Sequence, residues 1–175
     1  MIRKATSADI PAIVDIYDEI HSREEAGEVT IGWIRGVYPT EKTAADAVAR
    51  GDMFVAEDGS GRIVATGIIN QNQVDVYAKG NWRYDAPDSE VMVLHTLVVS
   101  KETPEKGLGS GFVAFFEGYA REQGCKYLRL DTNARNKGAR AFYRKLGYSE
   151  VGIVPTVFNG IPGVDLVLIE KKLEE

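Results

Sequence analysis

The sequence predicts one α/β domain, and three observations carry that reading. Strand-like and helix-like runs alternate along all 175 residues, with no linker, internal repeat or low-complexity tract to divide them. A near-continuous apolar run, Val91 to Val99, has the character of a central strand buried on both faces. A glycine loop, Lys106-Gly107-Leu108-Gly109-Ser110-Gly111, joins that run to an amphipathic one ending near Gln123. Hydrophobic residues at 44% and charged residues at 27% are enough for an ordinary packed core.

The elements run in order along the chain. Ile2 to Ala5 is a short strand, and Thr6 or Ser7 then caps a helix from Ala8 to about Glu25. Ile10, Ile13, Val14, Tyr17 and Ile20 give that helix one apolar face, and Pro11 is tolerated in its first turn. A second helix runs from Thr40 or Glu41 to Arg50, where Gly51 stops it. Met53 to Glu57 and Arg62 to Asn70 read as two strands joined by the turn Asp58-Gly59-Ser60-Gly61, hence antiparallel. Gln71 to Ser89 is irregular and aromatic-rich, which in a compact domain often signals function. After the central strand comes a helix from Leu108 to Gln123, with Phe112, Phe115, Phe116 and Tyr119 at core-packing spacing. Tyr127 to Asp131 is a strand, Asn136 to Leu146 a helix ended by Gly147, and Tyr148 to Val154 and Val164 to Glu170 two closing strands. Asn159-Gly160-Ile161-Pro162-Gly163 supplies the turn between the last two.

Composition narrows the function classes. A net charge of −5 gives no reason to expect nucleic acid or an anionic membrane as the main partner. Within that acidic chain, Lys126 to Lys145 holds seven basic residues against one acid, Asp131. Such a stretch is either a solvated face or a funnel for a small polyanion. A single cysteine, Cys125, excludes an internal disulfide, fits a cytoplasmic setting, and reads as a small buried residue rather than a nucleophile. The N-terminus shows no apolar secretory region, and no run approaches a membrane span.

The glycine loop is the sharpest chemical signal. Backbone N–H groups at a helix N-terminus converge on an anion, the helix dipole favours negative charge there, and glycine permits the close approach. The loop is not Walker A, which needs Gly-Lys followed by Ser or Thr, and Gly107-x-Gly109-x-Gly111 lacks the dinucleotide spacing. By itself it is equally an ordinary strand-to-helix turn.

Together with residues 136–148, the loop resembles that of the GNAT superfamily of acyl-CoA-dependent N-acyltransferases. The family loop has Gln or Arg, two further residues and then Gly-x-Gly/Ala. Lys106 departs from that first position, although its backbone N–H can still meet phosphate. Downstream, Asn136-x-x-Ala139-x-x-x-Tyr143 and then Lys145-Leu146-Gly147-Tyr148 match the family's Asn-x-x-Ala-x-x-x-Tyr and Gly-Phe/Tyr pattern. Asn136 and Tyr143 are two helical turns apart and share a face, with Ala139 leaving room between them. The resemblance covers most of the chain. It implies a mixed, mostly antiparallel sheet with a splayed central strand pair, flanked by helices. It further implies acetyl-CoA as co-substrate and no metal. Pyrophosphate would sit on Lys106, Gly107, Leu108, Gly109, Ser110 and Gly111, and the pantetheine arm on backbone of Leu97, Val98 and Val99 and on Asn136 and Ala139. An N–H near Leu97 would polarise the thioester carbonyl, and Tyr143 would protonate the departing thiolate.

The attacking amine must be neutral, which calls for a base or a desolvated path at neutral pH. Of two histidines, His21 is expected on the surface or in a lid, whereas His95 lies inside the central strand. His95 is either a water-linked base or a buried histidine bonded to backbone, and Glu90 at the strand's start is the competing base. Trp33 and Tyr38, with Tyr77, Trp82 and Tyr84, are candidate walls of an acceptor pocket, and Asp75, Asp85 and Asp88 candidate attractors of a cationic amine. The expected activity is therefore acetyl transfer from acetyl-CoA to a primary amine of a small molecule by direct attack in a ternary complex. A protein or peptide N-terminal acetyltransferase and a non-catalytic acyl-CoA-binding module are the alternatives. Homodimers are common in the family, so a homodimer is the oligomer to expect.

Overall fold

The structure, a computed structural model, describes residues 1–174. Its elements keep the sequence order: β1 (Ile2–Lys4), α1 (Ile10–Glu25), α2 (Glu41–Arg50), β2 (Met53–Glu57), β3 (Ile63–Asn70), β4 (Val91–Val99), α3 (Leu108–Glu122), β5 (Tyr127–Asn133), α4 (Lys137–Lys145), β6 (Ser149–Phe158) and β7 (Ile161–Lys172). The strands form one seven-stranded sheet in the order β1-β2-β3-β4-β5-β7-β6. Every neighbouring pair is antiparallel except β4 with β5.

Side-chain alternation sorts the core onto the two faces of this sheet. On one face Phe54, Met92, Leu94, Leu128, Leu130 and Val167 pack against Phe112, Val113 and Phe116 of α3 and Tyr143 of α4. On the other, Met53, Val55, Ile68 and Val98 pack against Ile13, Tyr17 and Ile20 of α1 and Ala44 and Ala47 of α2. The segment after β3 covers the rest of that second face, with Val76 and Tyr77 against Val91, Val93, Leu166 and Leu168.

Local chemistry explains the joints. Asp58 Oδ1 accepts the N–H groups of Ser60 and Arg62, which closes the β2–β3 turn, and Gly61 supplies the positive φ of 83°. Asn136 caps α4 by accepting the Ala139 N–H at 3.1 Å.

Several expected boundaries need correction. Residues Ser7–Asp9 form a 3-10 turn, so α1 starts at Ile10 rather than Ala8. Asp9 draws that turn tight by accepting the Thr6 N–H and pairing with Arg3. The closing strands run well past Val154 and start before Val164, because only Asn159 and Gly160 are needed for their turn. Pro155 and Pro162 are both accommodated within the strands, β6 lying at the sheet edge. The irregular segment 71–89 folds into two short 3-10 turns, Asp75–Lys79 and Asp88–Glu90.

Candidate active site

The sheet opens at its centre. Parallel pairing of β4 with β5 covers only Val91↔Tyr127, Met92↔Leu128 and Val93↔Arg129. Beyond it β4 continues to Val99 bound only to β3, while β5 continues to Asn133 bound only to β7. From Leu94 onward the β4 edge facing β5 has no strand partner. A bulge coincides with the opening. The register against β3 shifts between Thr66↔Val98 and Ile68↔His95, which leaves one extra residue on β4. Thr96 takes φ 53° there, a conformation that a β-branched residue rarely adopts. The bulge inverts the alternation, so Leu94 and Leu97 both turn toward the α3 face while His95 points to the other.

A cleft of about 140 Å³ fills this opening. On the α3 and α4 side it is lined by Leu94, Leu97, Asn136, Ala139 and Tyr143. On the far side it is lined by Trp33, Tyr38, His95, Asp131, Ile161 and Leu166, among others. The glycine loop lies at the start of α3. Gly107 holds φ 76° as the residue before the helix, and the first helical bond is Gly111 N–H to Gly107 C=O at 2.9 Å. The N–H groups of Leu108, Gly109 and Ser110 precede that bond and are free to face an anion. A Cβ on Gly109 would lie 3.4 Å from the Phe142 ring, so the loop also sits close against α4.

Tyr143 is buried between two rings, Phe142 at 5.0 Å and Tyr148 at 5.7 Å, both edge-on. Burial raises its phenol above the ordinary range, and the nearby Asp131 acts in the same direction. A neutral hydroxyl therefore faces the cleft at physiological pH. Asn136 uses Oδ1 for the α4 cap, which leaves its Nδ2 group to donate.

The far wall holds the proton acceptors. His95 Nε2 lies 2.8 Å from Asn70 Oδ1, which also accepts the Asn72 N–H, while Asn70 Nδ2 donates to Asp52. That network puts the imidazole proton on Nε2 and leaves the lone pair on Nδ1. Burial lowers the ring to about 4, so it is neutral. Asp131 is enclosed, and burial pushes its carboxyl up to about 6 against the opposing effect of a 2.6 Å hydrogen bond from the Tyr77 hydroxyl to Oδ2.

A strap between α1 and α2 covers this wall. Glu24 accepts the N–H groups of Ile31 and Gly32 at 2.8 and 2.9 Å, and Thr30 Oγ1 donates to the Arg135 carbonyl. Gly32 holds φ 82°, which favours glycine, and a Cβ there would also press on the Asn133 side-chain amide at 2.6 Å. Tyr38 hydrogen-bonds through its hydroxyl to Thr96 Oγ1, tying the strap to the bulge. His21 is buried, not at the surface, and its Nε2 meets the Pro39 carbonyl at 2.9 Å where the strap ends.

Of the expected site residues, the cleft brings together Tyr143, Asn136, Ala139, His95, Leu97, Trp33 and Tyr38. Four of the expected catalytic and acceptor residues do not line it: Glu90, Trp82, Tyr84 and Tyr77, the last of which only backs Asp131 through its hydroxyl. Glu90 sits at the opposite end of β4, five residues or about 16 Å of strand from His95, beside Cys125. Trp82 and Tyr84 instead enclose Arg129, whose guanidinium stacks 4.2 Å over Trp82 and donates to the Tyr84 carbonyl. Asp75, Asp85 and Asp88 also lie outside the lining. The basic stretch disperses as well, with Arg129 on the second face and Arg140 and Arg144 paired with Glu150. The residue that sequence reasoning passed over is Asp131, whose one signal was being the lone acid of that stretch.

A sheet split between parallel strands, a glycine loop at the next helix and a tyrosine facing the split define an acyl-group transferase architecture. The family model described as Acetyltransferase (GNAT) family matches residues 12–148, and the chain belongs to that family. An uncharacterised N-acetyltransferase of Methanocaldococcus jannaschii is 30% identical over 74 residues, and the match covers 42% of this chain. The chain spans about a third, 33%, of that relative's length. A GNAT family acetyltransferase of Streptococcus agalactiae superposes with a TM-score of 0.81 at 22% identity, covering 100% of this chain and 96% of that one. A putative acetyltransferase of Salmonella typhimurium, solved with its cofactor acetyl-CoA, superposes with a TM-score of 0.70 at 18% identity, covering 100% and 94%. Among the described residues no helix is long and apolar enough to cross a membrane.

Proposed function

We propose that this chain is an acetyl-CoA-dependent N-acetyltransferase acting on a primary amine of a small molecule. The observation that carries the reading is the loss of β4–β5 pairing after Val93, which opens a cleft between Tyr143 on one face and Asp131 and His95 on the other. Acetyl-CoA supplies the activated acetyl group as a thioester. Within the Lys106–Gly111 loop the free N–H groups of Leu108, Gly109 and Ser110 hold its pyrophosphate, the Gly111 N–H being already bonded to the Gly107 carbonyl, and the positive φ of Gly107 and the close packing of Gly109 fit that role. The unpartnered β4 edge at Leu97, Val98 and Val99 offers N–H and C=O groups to the pantetheine arm, with Asn136 Nδ2 opposite and Ala139 leaving space. A β4 N–H near Leu97 polarises the thioester carbonyl.

The acceptor amine approaches from the second face, beneath Trp33 and Tyr38. Its nitrogen bonds to the acetyl carbon as the carbon–sulfur bond breaks. Tyr143 delivers a proton to the departing thiolate, and the amine's proton leaves toward the wall that holds His95 and Asp131. Tyr143 is then reprotonated from water, so one proton reaches bulk solvent for each ammonium consumed. The wall's enclosure favours a small acceptor over a protein N-terminus.

The test is thiol release from acetyl-CoA across a panel of primary amines. Tyr143→Phe is expected to cut kcat about 100-fold, within the usual range for general-acid catalysis. Full turnover by Tyr143→Phe would remove Tyr143 as the acid.

A further inference from the structure

Resting on the acyltransferase reading, the charge inventory of the cleft points to a particular class of acceptor. Asp131 is the one carboxylate among the lining residues, and no lysine or arginine lines the cleft among the described residues. Its Oδ2 accepts the Tyr77 hydroxyl, and Oδ1 has no protein hydrogen-bond partner among the described residues. Arg129, two residues away on the same strand face, is turned elsewhere: it donates to Gln73 Oε1 and the Tyr84 carbonyl and stacks on Trp82. An enclosed carboxylate with no counter-cation is costly, and a cationic ligand relieves that cost.

The surrounding groups sharpen the choice. His95 shares the wall but is neutral, and Tyr38 and Tyr143 are held in their protonated forms by burial. Just outside, beyond Tyr38 and Val74, stand Lys42 and Arg50, yet Lys42 is paired with Asp46 and Arg50 with Asp52. Arg135 is exposed and is not among the lining residues, although its Nη2 would lie 3.2 Å from a Cβ on Gly32 at the rim. Apart from the uncharged polar residues Thr96, Thr132, Asn133 and Asn159, the acceptor wall is apolar, from Trp33 and Val74 through Phe158, Ile161, Val164 and Leu166.

We propose that the cleft selects a hydrophobic primary amine that carries no carboxylate of its own, with its ammonium seated on Asp131 and its body against Trp33, Ile161 and Leu166. A free amino acid would bring a second anion beside Asp131 with no lysine or arginine among the lining residues to meet it. Asp131 then does two things. As a carboxylate it orients the nitrogen. It also takes one proton from the ammonium and passes it to water, which frees the lone pair to attack; once the new nitrogen–carbon bond acidifies the remaining N–H, a second proton leaves by the same route and balances the one Tyr143 gives to the thiolate.

The experiment compares 2-phenylethylamine with phenylalanine, which differ by the carboxylate alone, in acetyl-CoA turnover. Calorimetric titration of each into the protein saturated with CoA supplies a binding readout independent of turnover. The expected result is at least a 100-fold preference in kcat/KM for 2-phenylethylamine, with binding seen for it and not for phenylalanine. Asp131→Asn, which keeps the Tyr77 hydrogen bond, is expected to stay folded and lose both binding and turnover; hexylamine serves as the aliphatic control. Phenylalanine used as well as 2-phenylethylamine, or unchanged amine binding in Asp131→Asn, would overturn the proposal. So would binding of neither hydrophobic amine by a protein that still binds acetyl-CoA, an outcome that leaves the acyltransferase reading standing. Failure to bind acetyl-CoA would instead remove that reading and this one together.

Discussion

Asp131 sits two residues from a buried arginine that ignores it, and its own partner is a tyrosine hydroxyl. Burial raises its carboxyl from 3.8 to about 6, so the folded protein holds this proton more tightly than the unfolded chain does. The associated loss of stability is absent below pH 3.8, grows between there and 6, and persists above, reaching on the order of 3 kcal/mol. Asp131→Asn should therefore fold at least as well as the parent at neutral pH, which is the pattern of a residue kept for function. The base form exists above its own ionisation, so kcat/KM should fall as pH drops through about 6. The Tyr77 hydrogen bond favours the charged form, and Tyr77→Phe should move that acid limb to higher pH. A pH–rate series on both proteins checks this, and an unmoved limb would detach the limb from Asp131. Little of this was legible in the sequence. An aspartate in a run of basic residues looks like a solvated charge, and only the β5 register turns it inward beside Tyr77. His95 was legible because a histidine inside an apolar strand is out of place. Its Asn70–Asp52 chain was not, since those partners come from the end of β3 and the link between α2 and β2.

At the scale of elements, the two working parts are the β4 bulge and the loop before α3. The loop was plain in the sequence, because glycine spacing directly encodes backbone freedom. Gly107 is the position where that freedom is used, at φ 76°. Gly107→Ala should cost about 1 kcal/mol in stability and weaken acetyl-CoA binding, read by thermal melting and by titration. The bulge was invisible from residue types. Val91 to Val99 reads as one regular strand, and Thr96 is a strand former that nothing local marks for a positive φ. The Tyr38 hydroxyl holding Thr96 comes from 58 residues earlier, as a tertiary contact. The misplaced aromatics have a similar origin. Trp82 and Tyr84 enclose Arg129, whose burial no spacing argument could foresee.

For the whole molecule, one cleft occupies the opening of the sheet and takes its walls from both faces. In the proposed reading the glycine loop, β4 edge and α4 serve the acyl donor from one face, and the strap with Val74 serves the acceptor from the other. Element order, with amphipathic helices between strands and an apolar run from Val91 to Val99 suited to burial on both faces, pointed to a covered central sheet from the sequence. Among the described residues no cysteine lines the opening, in keeping with direct transfer. Cys125 is buried at the start of β5, away from the opening, and burial raises its thiol. Initial-rate kinetics should give intersecting lines, and Cys125→Ser should retain turnover. Parallel lines would reveal a covalent acetyl-enzyme.

The central claim is that the opened sheet and its glycine loop form an acetyl-CoA site. Titration calorimetry of acetyl-CoA into the wild-type protein and into Gly109→Glu tests it most directly, because the new side chain sets a negative charge and bulk on the proposed phosphate seat. The account expects one acetyl-CoA per chain in the wild type and none in a Gly109→Glu protein that melts cooperatively. Equal binding by both proteins, or none by a folded wild type, would contradict it.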